Sequence, residues 1–581
     1  MSEDRIQAEV TKHSLVYISE EMAVLLRKSA FSPNIRERAD HSCALLDAQG
    51  RTIGQAEQIP VHVGSLPLGL RNTLAFLEEH DTPQREGDMY VVNDPYISGT
   101  HLNDVTLIGP VYLRSEVVGY VANKAHHVDV GGRVPGSISP DATDLYQEGL
   151  IMEPVKLFDR GKENRDVVTL MKSNSRQPET TEGDLRAQIA ANRLGEKRFI
   201  ELVTRVGQSR FQAVVESIMD HTEELTRHEF ARMPRGRWSG EDFLELGDGL
   251  LSIKAAVSFA ENGAVVDFGG TARQVEAPLN AVLGVTRAAV SYAVKSLLPA
   301  EVQLNDGFDR TIEVVAQPGT IVNPTRPAPV AAGNLETSQR IVDVFYSAMA
   351  KALPGRVPAA SHGSMNNLMM GGTDPGTGEP WAFYETIGGG SGGRPGSDGV
   401  DGVQVNMTNT MNTPIEVMEH YYPLSFREYS LRDGSGGRGM WRGGLGIRRS
   451  FTTRARVKTT LIGDRSKIKP WGLKGGEGGE CSRYSVKRAN DKLPSRLPSK
   501  CTLVLEGGDT LLIETAGGGG YGPRRLRNED ARTRDREYGY PSLHPERRWM
   551  VIERSLPNSS SPSSQVLTRQ LRDDESPAEA Q

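Results

Sequence analysis

With 581 residues the chain is too long for one hydrophobic core, and size alone points to about three to four domains. A formal net charge of −6 leaves no basic field for nucleic acid, and three scattered cysteines without Cys-x-x-Cys spacing (Cys43, Cys481, Cys501) exclude a disulfide framework and fit a reducing cytosol. The N-terminus lacks a cationic start followed by an apolar run, and no window reaches the roughly 18 uncharged apolar residues of a membrane span, so the protein is expected to be soluble and cytoplasmic, with no membrane or nucleic-acid partner.

Residues 3–29 read as an amphipathic helix ending before Ser32-Pro33. Ile6, Val10, Tyr17, Val24 and the Leu25-Leu26 pair lie near helical spacing, and this face is assigned to the core. A strand and hairpin turn follow across Arg36 to Gly50-Arg51. In Ile59-Pro-Val-His-Val-Gly-Ser65 the one side chain with chemistry to offer is His62, a candidate for substrate binding.

The densest chemistry lies between Tyr90 and Gly132. His101 stands three residues before Asp104, and one apolar strand later come His126, His127 and Asp129. Imidazole and carboxylate together suit zinc, manganese or iron, and three protein ligands leave a coordination position open for water or substrate. His101 and Asp104 can converge if Thr100 to Asp104 forms a tight turn. Val117 to Val128 reads as a strand, where side chains alternate between faces, so only one of His126 and His127 can share that ion. His101, Asp104 and His126 are therefore the expected ligands of one divalent transition metal, with His127 as the alternate or a catalytic group. Asn93-Asp-Pro-Tyr96 and Gly99-Thr100 supply the turn chemistry that presents His101 on a loop.

Glu148, on an expected loop soon after the histidines, is a candidate general base or fourth ligand, with a surface salt bridge as the competing reading. Helical spacing recurs over Leu185–Val206 and over Phe211–Leu225, where Phe211, Val214, Ile218 and Leu225 form a core face. Strand patterns begin near Leu244, which places a domain boundary at 235–245. Asp267-Phe-Gly-Gly-Thr271 follows a strand, yet the chain holds no Gly-x-x-x-x-Gly-Lys-Ser/Thr, so it is not expected to bind nucleotide itself. Helices are expected over Ala277–Leu298 and from Asn334 to Ala350. From 384 to 420 polar side chains interleave densely with glycine, which makes poor core. That stretch is a second candidate site region, with Glu385, Arg394 and Glu416 as substrate-binding candidates and linker behaviour as the alternative.

The domain reading is 1–235 (helical, with the metal-bearing strands), 236–345 (mixed), 346–523 (glycine- and strand-rich) and 524–581, an Arg/Asp/Glu-rich then Pro/Ser-rich tail expected to be disordered except for a docking point at Trp549–Ile552. The fold class is α+β, large and multi-domain, with a helical N-terminal part and a strand- and glycine-rich C-terminal half.

Asn93-Asp-Pro-Tyr96, Gly99-Thr-His-Leu-Asn-Asp-Val105 and Ala122-Asn-Lys-Ala-His-His-Val-Asp-Val-Gly-Gly132 resemble the motifs of the hydantoinase B/oxoprolinase family, as do Ile59–Ser65, Tyr146–Leu150 and the closing Thr515–Gly522. The resemblance covers about residues 5 to 523. It implies the B-type member of an ATP-dependent hydantoinase or 5-oxoprolinase, a hydrolase of cyclic amides, in a hetero-oligomer with a hydantoinase A-type partner that binds ATP and activates the substrate. It equally admits a component of an ATP-dependent acetone or acetophenone carboxylase, or a non-catalytic scaffold for the A-type partner.

Overall fold

The computed structural model describes residues 3–538 and 540, apart from 57 and 262. Its N-terminal part is organised by a seven-stranded sheet built from β1 (His41–Asp47), β2 (Thr52–Gln55), β3 (Met89–Val92), β4 (Asp104–Leu113), β5 (Glu116–His126), β6 (Val155–Asp159) and β7 (Lys162–Glu163), in the order β2-β1-β5-β4-β3-β6-β7. Every residue of β1 is buried, because helices cover both faces of the sheet. Cys43 and Leu45 pack with α1 (Glu3–Ser29) and the Pro178–Val206 helix, while Ala44 and Leu46 pack with Leu66 and Leu70 of the Pro60–Glu79 helix. β4 and β5 form a hairpin whose turn residues, Arg114 and Ser115, both have positive φ (52° and 68°), the backbone twist that suits a two-residue connection.

The face of α1 that enters the core is only in part the one expected from sequence. Leu26 is buried as expected, together with Leu15, Ile18 and Met22, whereas Ile6, Val10, Tyr17 and Val24 are exposed. Both sets obey helical spacing, so periodicity alone could not choose between them; the packing against β1 and the Pro178–Val206 helix does.

A second sheet, β11-β10-β9-β8, comprises β8 (Arg237–Leu246), β9 (Gly249–Ala260), β10 (Gly263–Asp267) and β11 (Ile312–Val315). It shares the largest core cluster with the Leu283–Lys295 and Ser338–Ala352 helices. The first of these is shorter than the expected 277–298. The Asn280 amide donates to the carbonyls of Val275, Ala277 and Pro329 and accepts from the Val275 N–H, offering the preceding backbone an alternative to helix. The second opens with a π-helical turn, Gly333–Thr337, before settling into α-helix.

The C-terminal half contains β12 (Asn367–Thr373), β13 (Pro380–Thr386) and seven further strands between Leu424 and Glu514, arranged as a four- and a five-stranded sheet. The glycine-rich segments around 388–399, 436–446 and 517–522 are not linkers but pack backbone against backbone: a Cβ on Gly390 would collide with the Gly444 carbonyl, and one on Gly518 with that of Ser391. Beyond Pro523, where an unordered tail is expected, a helix spans Glu529–Glu537. The buried Arg527 guanidinium ties this segment down by bonding both Asp398 and Asp535, so ion pairing supplies what the apolar-poor composition lacks. Trp549–Ile552 lies outside the described residues. No described helix is long and apolar enough to cross a membrane.

Candidate metal centre

β4 and β5 pair in a register that sets Asp104 directly opposite His126. The loop before β4 brings His101 to the same point: Asp94 caps the short Pro95–Ser98 helix, and Gly99 ends it at φ 83°, a conformation that favours glycine. Lys124 then fastens the loop from below, donating to Ser65 Oγ, the Ser98 carbonyl and Thr100 Oγ1. Burial lowers the Lys124 pKa to about 8 against the attraction of Asp104.

His101 Nε2, Asp104 Oδ1 and His126 Nδ1 form a near-equilateral triangle with sides of 3.0, 3.1 and 3.1 Å, all three residues being fully buried. From the opposite side, His62 in the first turn of the Pro60–Glu79 helix reaches the second Asp104 oxygen at 3.2 Å. The Asn334 amide lies 3.5 Å from that same oxygen, and the Tyr384 ring stacks on His126 with centroids 4.5 Å apart.

The triangle has to hold a proton or a cation. His101 Nδ1 faces the Ala331 carbonyl at 3.1 Å and must donate to it, so in the neutral ring Nε2 presents a lone pair to Asp104 Oδ1 and to His126 Nδ1. Either a proton or a metal resolves that convergence. Burial works against a charged His101, yet the Asp104 carboxylate outweighs it and the pKa is raised. For Asp104, burial is likewise overcome, by His101 and His62, and its pKa falls well below the ordinary value. His126, dominated by burial, is shifted down. The donor set therefore fits a metal.

The other residues singled out from sequence fall elsewhere. His127, on the opposite face of the chain from His126, bonds Gln188 Oε1 at 2.9 Å. Asp129 organises the following loop by accepting from the backbone of Gly131, Gly136 and Arg176 and from the Arg176 side chain. Glu148 is buried rather than on the surface, and its carboxylate accepts from the backbone N–H groups of Val330 and Ala331 at 2.9–3.1 Å. Burial raises its pKa to about 7, with those two N–H groups opposing. Glu385 follows Tyr384 on β13 and so faces away from His126, into a buried ion pair with Arg449 and a bond from the Thr413 N–H. Arg394 and Glu416 are exposed, on a glycine-rich turn and in the first turn of the Ile415–Tyr421 helix. Only His62, of the four substrate-binding candidates, joins the cluster.

Asp40 and Tyr384 carry no signal in the sequence. The Asp40 backbone carbonyl accepts from the His126 N–H, and its carboxylate adds negative charge that favours protonation of His101 and opposes the downward shift of His126. It sits just before β1, 61 residues ahead of His101 in a stretch with no ligand spacing, so only the β1–β5 pairing reveals it.

Known proteins resemble the chain over nearly its full length. An uncharacterised protein of Methanocaldococcus jannaschii is 49% identical over 89% of this chain and 91% of its own. A Pseudomonas sp. protein, named as the putative B component of a D-/L-hydantoinase, is 32% identical over 89% and 90%. The 5-oxoprolinase of Dictyostelium discoideum is 33% identical over 90% of this chain, which spans only 40% of that longer protein. The crystal structure of an ATP-dependent caprolactamase from Pseudomonas jessenii superposes with a TM-score of 0.87 at 28% identity, covering 94% of this chain and 95% of its own. The sequence profile of hydantoinase B/oxoprolinase matches residues 4–524, and the chain belongs to that family.

Proposed function

We propose that this chain is the metal-bearing B-type component of an ATP-dependent cyclic amidohydrolase, completing the ring opening of a substrate that an A-type partner activates with ATP. The observation that carries the proposal is the convergence of His101, Asp104 and His126 lone pairs on one buried point, in a chain whose relatives are named for hydantoinase and 5-oxoprolinase. A chain that spans 90% of a protein named as a hydantoinase B component, but 40% of a 5-oxoprolinase, fits a division of labour between two units.

A zinc, manganese or iron ion held by the three side chains would supply Lewis acidity for a stable amide carbonyl or lower the pKa of a water. The chain's own residues do the rest. The Ala331 carbonyl holds His101 in the tautomer that leaves Nε2 free to ligate. Asp104 divides its oxygens, Oδ1 to the triangle and Oδ2 to His62 Nε2, so His62 is placed to move a proton at the edge of the site. Tyr384 covers His126 and keeps water from that side.

The test is co-expression with the A-type protein encoded nearest to this chain's gene, followed by ATP-dependent turnover of hydantoins, 5-oxoproline, other lactams and ketones. Hydrolysis of a cyclic amide by the complex and not by the separate chain supports the proposal. Turnover by the isolated chain without ATP, or an unaltered rate in a complex carrying His101→Ala, would overturn it.

A further inference from the structure

A cavity of about 390 Å³, within the size range of small-molecule sites, lies apart from the metal centre. It is enclosed by the Pro60–Glu79 and Leu283–Lys295 helices, β2 and the segments 304–309 and 404–409. Pro60, Val63, Gly64 and Pro67 line it, at the i, i+3, i+4, i+7 spacing of one helix face. His62, Leu66 and Leu70, spaced four apart, take another face: His62 reaches Asp104, and the two leucines pack on β1. The cavity and the metal centre therefore use different sides of the same helix.

The polar groups of the cavity wall are unequal in kind. Its amide N–H groups are spent inside the protein: Gln55 donates to the Leu304 carbonyl, Gln404 to Thr386 Oγ1, Asn406 to Asp343 and Asn409 to the Gln58 carbonyl. The Lys295 amine is likewise held, by the carbonyls of Pro299 and Ala300. Acceptors are left over. The side-chain oxygens of Gln58 and Gln404 and the hydroxyl of Thr52, a residue 3% exposed, are buried without a hydrogen-bond partner among the described residues. Such groups are costly unless something donates to them. The one acid in the wall, Asp309, has the Ser291 hydroxyl beside it and forms no ion pair among the described residues. Burial, reinforced by Asp306, raises its pKa to about 6 against the pull of Arg287 and Arg71, so at neutral pH it is a carboxylate without a paired cation.

We propose that this cavity is a second ligand site and that it takes an organic ammonium, whose head pairs with Asp309 and whose small apolar body packs against Val63, Pro67 and Ala288. The partnerless oxygens of Gln58, Gln404 and Thr52 supply acceptors for a further N–H or O–H group on the same ligand. An anionic ligand is disfavoured by the same wall, because its carboxylate would meet Asp309 and find the amide donors already engaged.

Ligand-observed NMR on the full chain alone, at neutral pH, tests the proposal with three probes that share one body: phenethylamine, phenethyl alcohol and phenylacetate. Saturable binding of phenethylamine is expected, about 10-fold or more tighter than that of either other probe, the worth of one charge-assisted hydrogen bond. Asp309→Asn is nearly isosteric and removes a buried charge, so it should melt no lower than the unaltered chain while bringing the amine down to the affinity of the alcohol. Leu304→Trp fills the cavity from a partly buried wall position and should abolish saturable binding of the amine. No saturable binding of phenethylamine, equal affinity for the amine and either other probe, or undiminished amine affinity in folded Asp309→Asn or Leu304→Trp would each overturn the proposal. None of these readouts involves metal, ATP or an A-type protein, so failure here leaves the reading of the metal centre standing.

Discussion

Glu148 and His101 meet through a single residue: the Glu148 carboxylate accepts the Ala331 N–H at 2.9 Å, and the Ala331 carbonyl lies 3.1 Å from His101 Nδ1. Glu148 also takes the Val330 N–H, so both of its oxygens are used to hold the strap that fixes the His101 tautomer. Its geometry is that of a residue that positions His101 through Ala331. Glu148→Gln replaces the acceptor Oε2 by a donor that would face the Val330 N–H. Metal affinity should fall by about 10- to 100-fold, the usual consequence of losing such support. Titration of the folded variant with manganese or zinc checks this, and an unchanged affinity would count against it.

Removing a ligand should have a larger effect than loosening one. His101→Ala and Asp104→Ala are expected to purify with little metal where the unaltered chain holds one equivalent, as read by elemental analysis of folded protein. Undiminished metal in His101→Ala would place the ion elsewhere.

Glu336, in the π-helical turn, accepts from Asn367 Nδ2 at 2.9 Å and from the Met365 N–H. Burial, reinforced by the nearby Asp464 charge, raises its pKa to about 8. A carboxyl raised in the folded state contributes stability that is complete below its unfolded pKa and is lost as pH rises through about 8. Glu336→Gln keeps the acceptor oxygen and removes that titration. Relative to the unaltered chain, its unfolding free energy should gain on the order of 1 kcal/mol between pH 7 and pH 9. Parallel pH dependence in the two proteins would refute the assignment.

Arg465 is fully buried and donates to Asp242 and Asp343, both at 2.7 Å, while Arg340 donates to Asp464 at 2.8 Å. The cluster joins β8, the Ser338–Ala352 helix and the loop after Val457–Ile462. Arg465→Met leaves Arg340 as the one guanidinium bonded to Asp242, Asp343 and Asp464 and should cost about 3 kcal/mol in denaturant unfolding. Adding Asp242→Asn should recover part of that loss.

Ending the chain at Pro523 removes Arg527, which pairs with Asp398 at 2.8 Å. A drop of about 1–3 kcal/mol is expected from the partly buried carboxylate left behind. Ending it after Tyr540 keeps this pair and the Arg442 guanidinium over the Tyr540 ring at 3.9 Å, and should give a higher melting temperature than the shorter truncation. Equal melting of the two truncations would show that Arg527 contributes nothing.

Some of this was legible in the residues. The His-x-x-Asp spacing before a strand and the alternation of β5 were enough to expect His101, Asp104 and His126 to converge and His127 to point away, because strand parity is a local property. The family motifs and the α+β class were likewise readable, since both rest on local pattern. Other features were decided by tertiary structure alone. The β4–β5 register that sets Asp104 against His126, and the approach of His62 from another helix, depend on how distant segments pair. Glu148 and Glu385 looked alike as carboxylates among turns; one holds a backbone strap 183 residues away and the other neutralises Arg449, 64 residues away, so their partners are brought to them only by the fold. On α1 two stripes satisfied the same 3.6-residue period, and only the surfaces packed against the helix settled which one the core would bury.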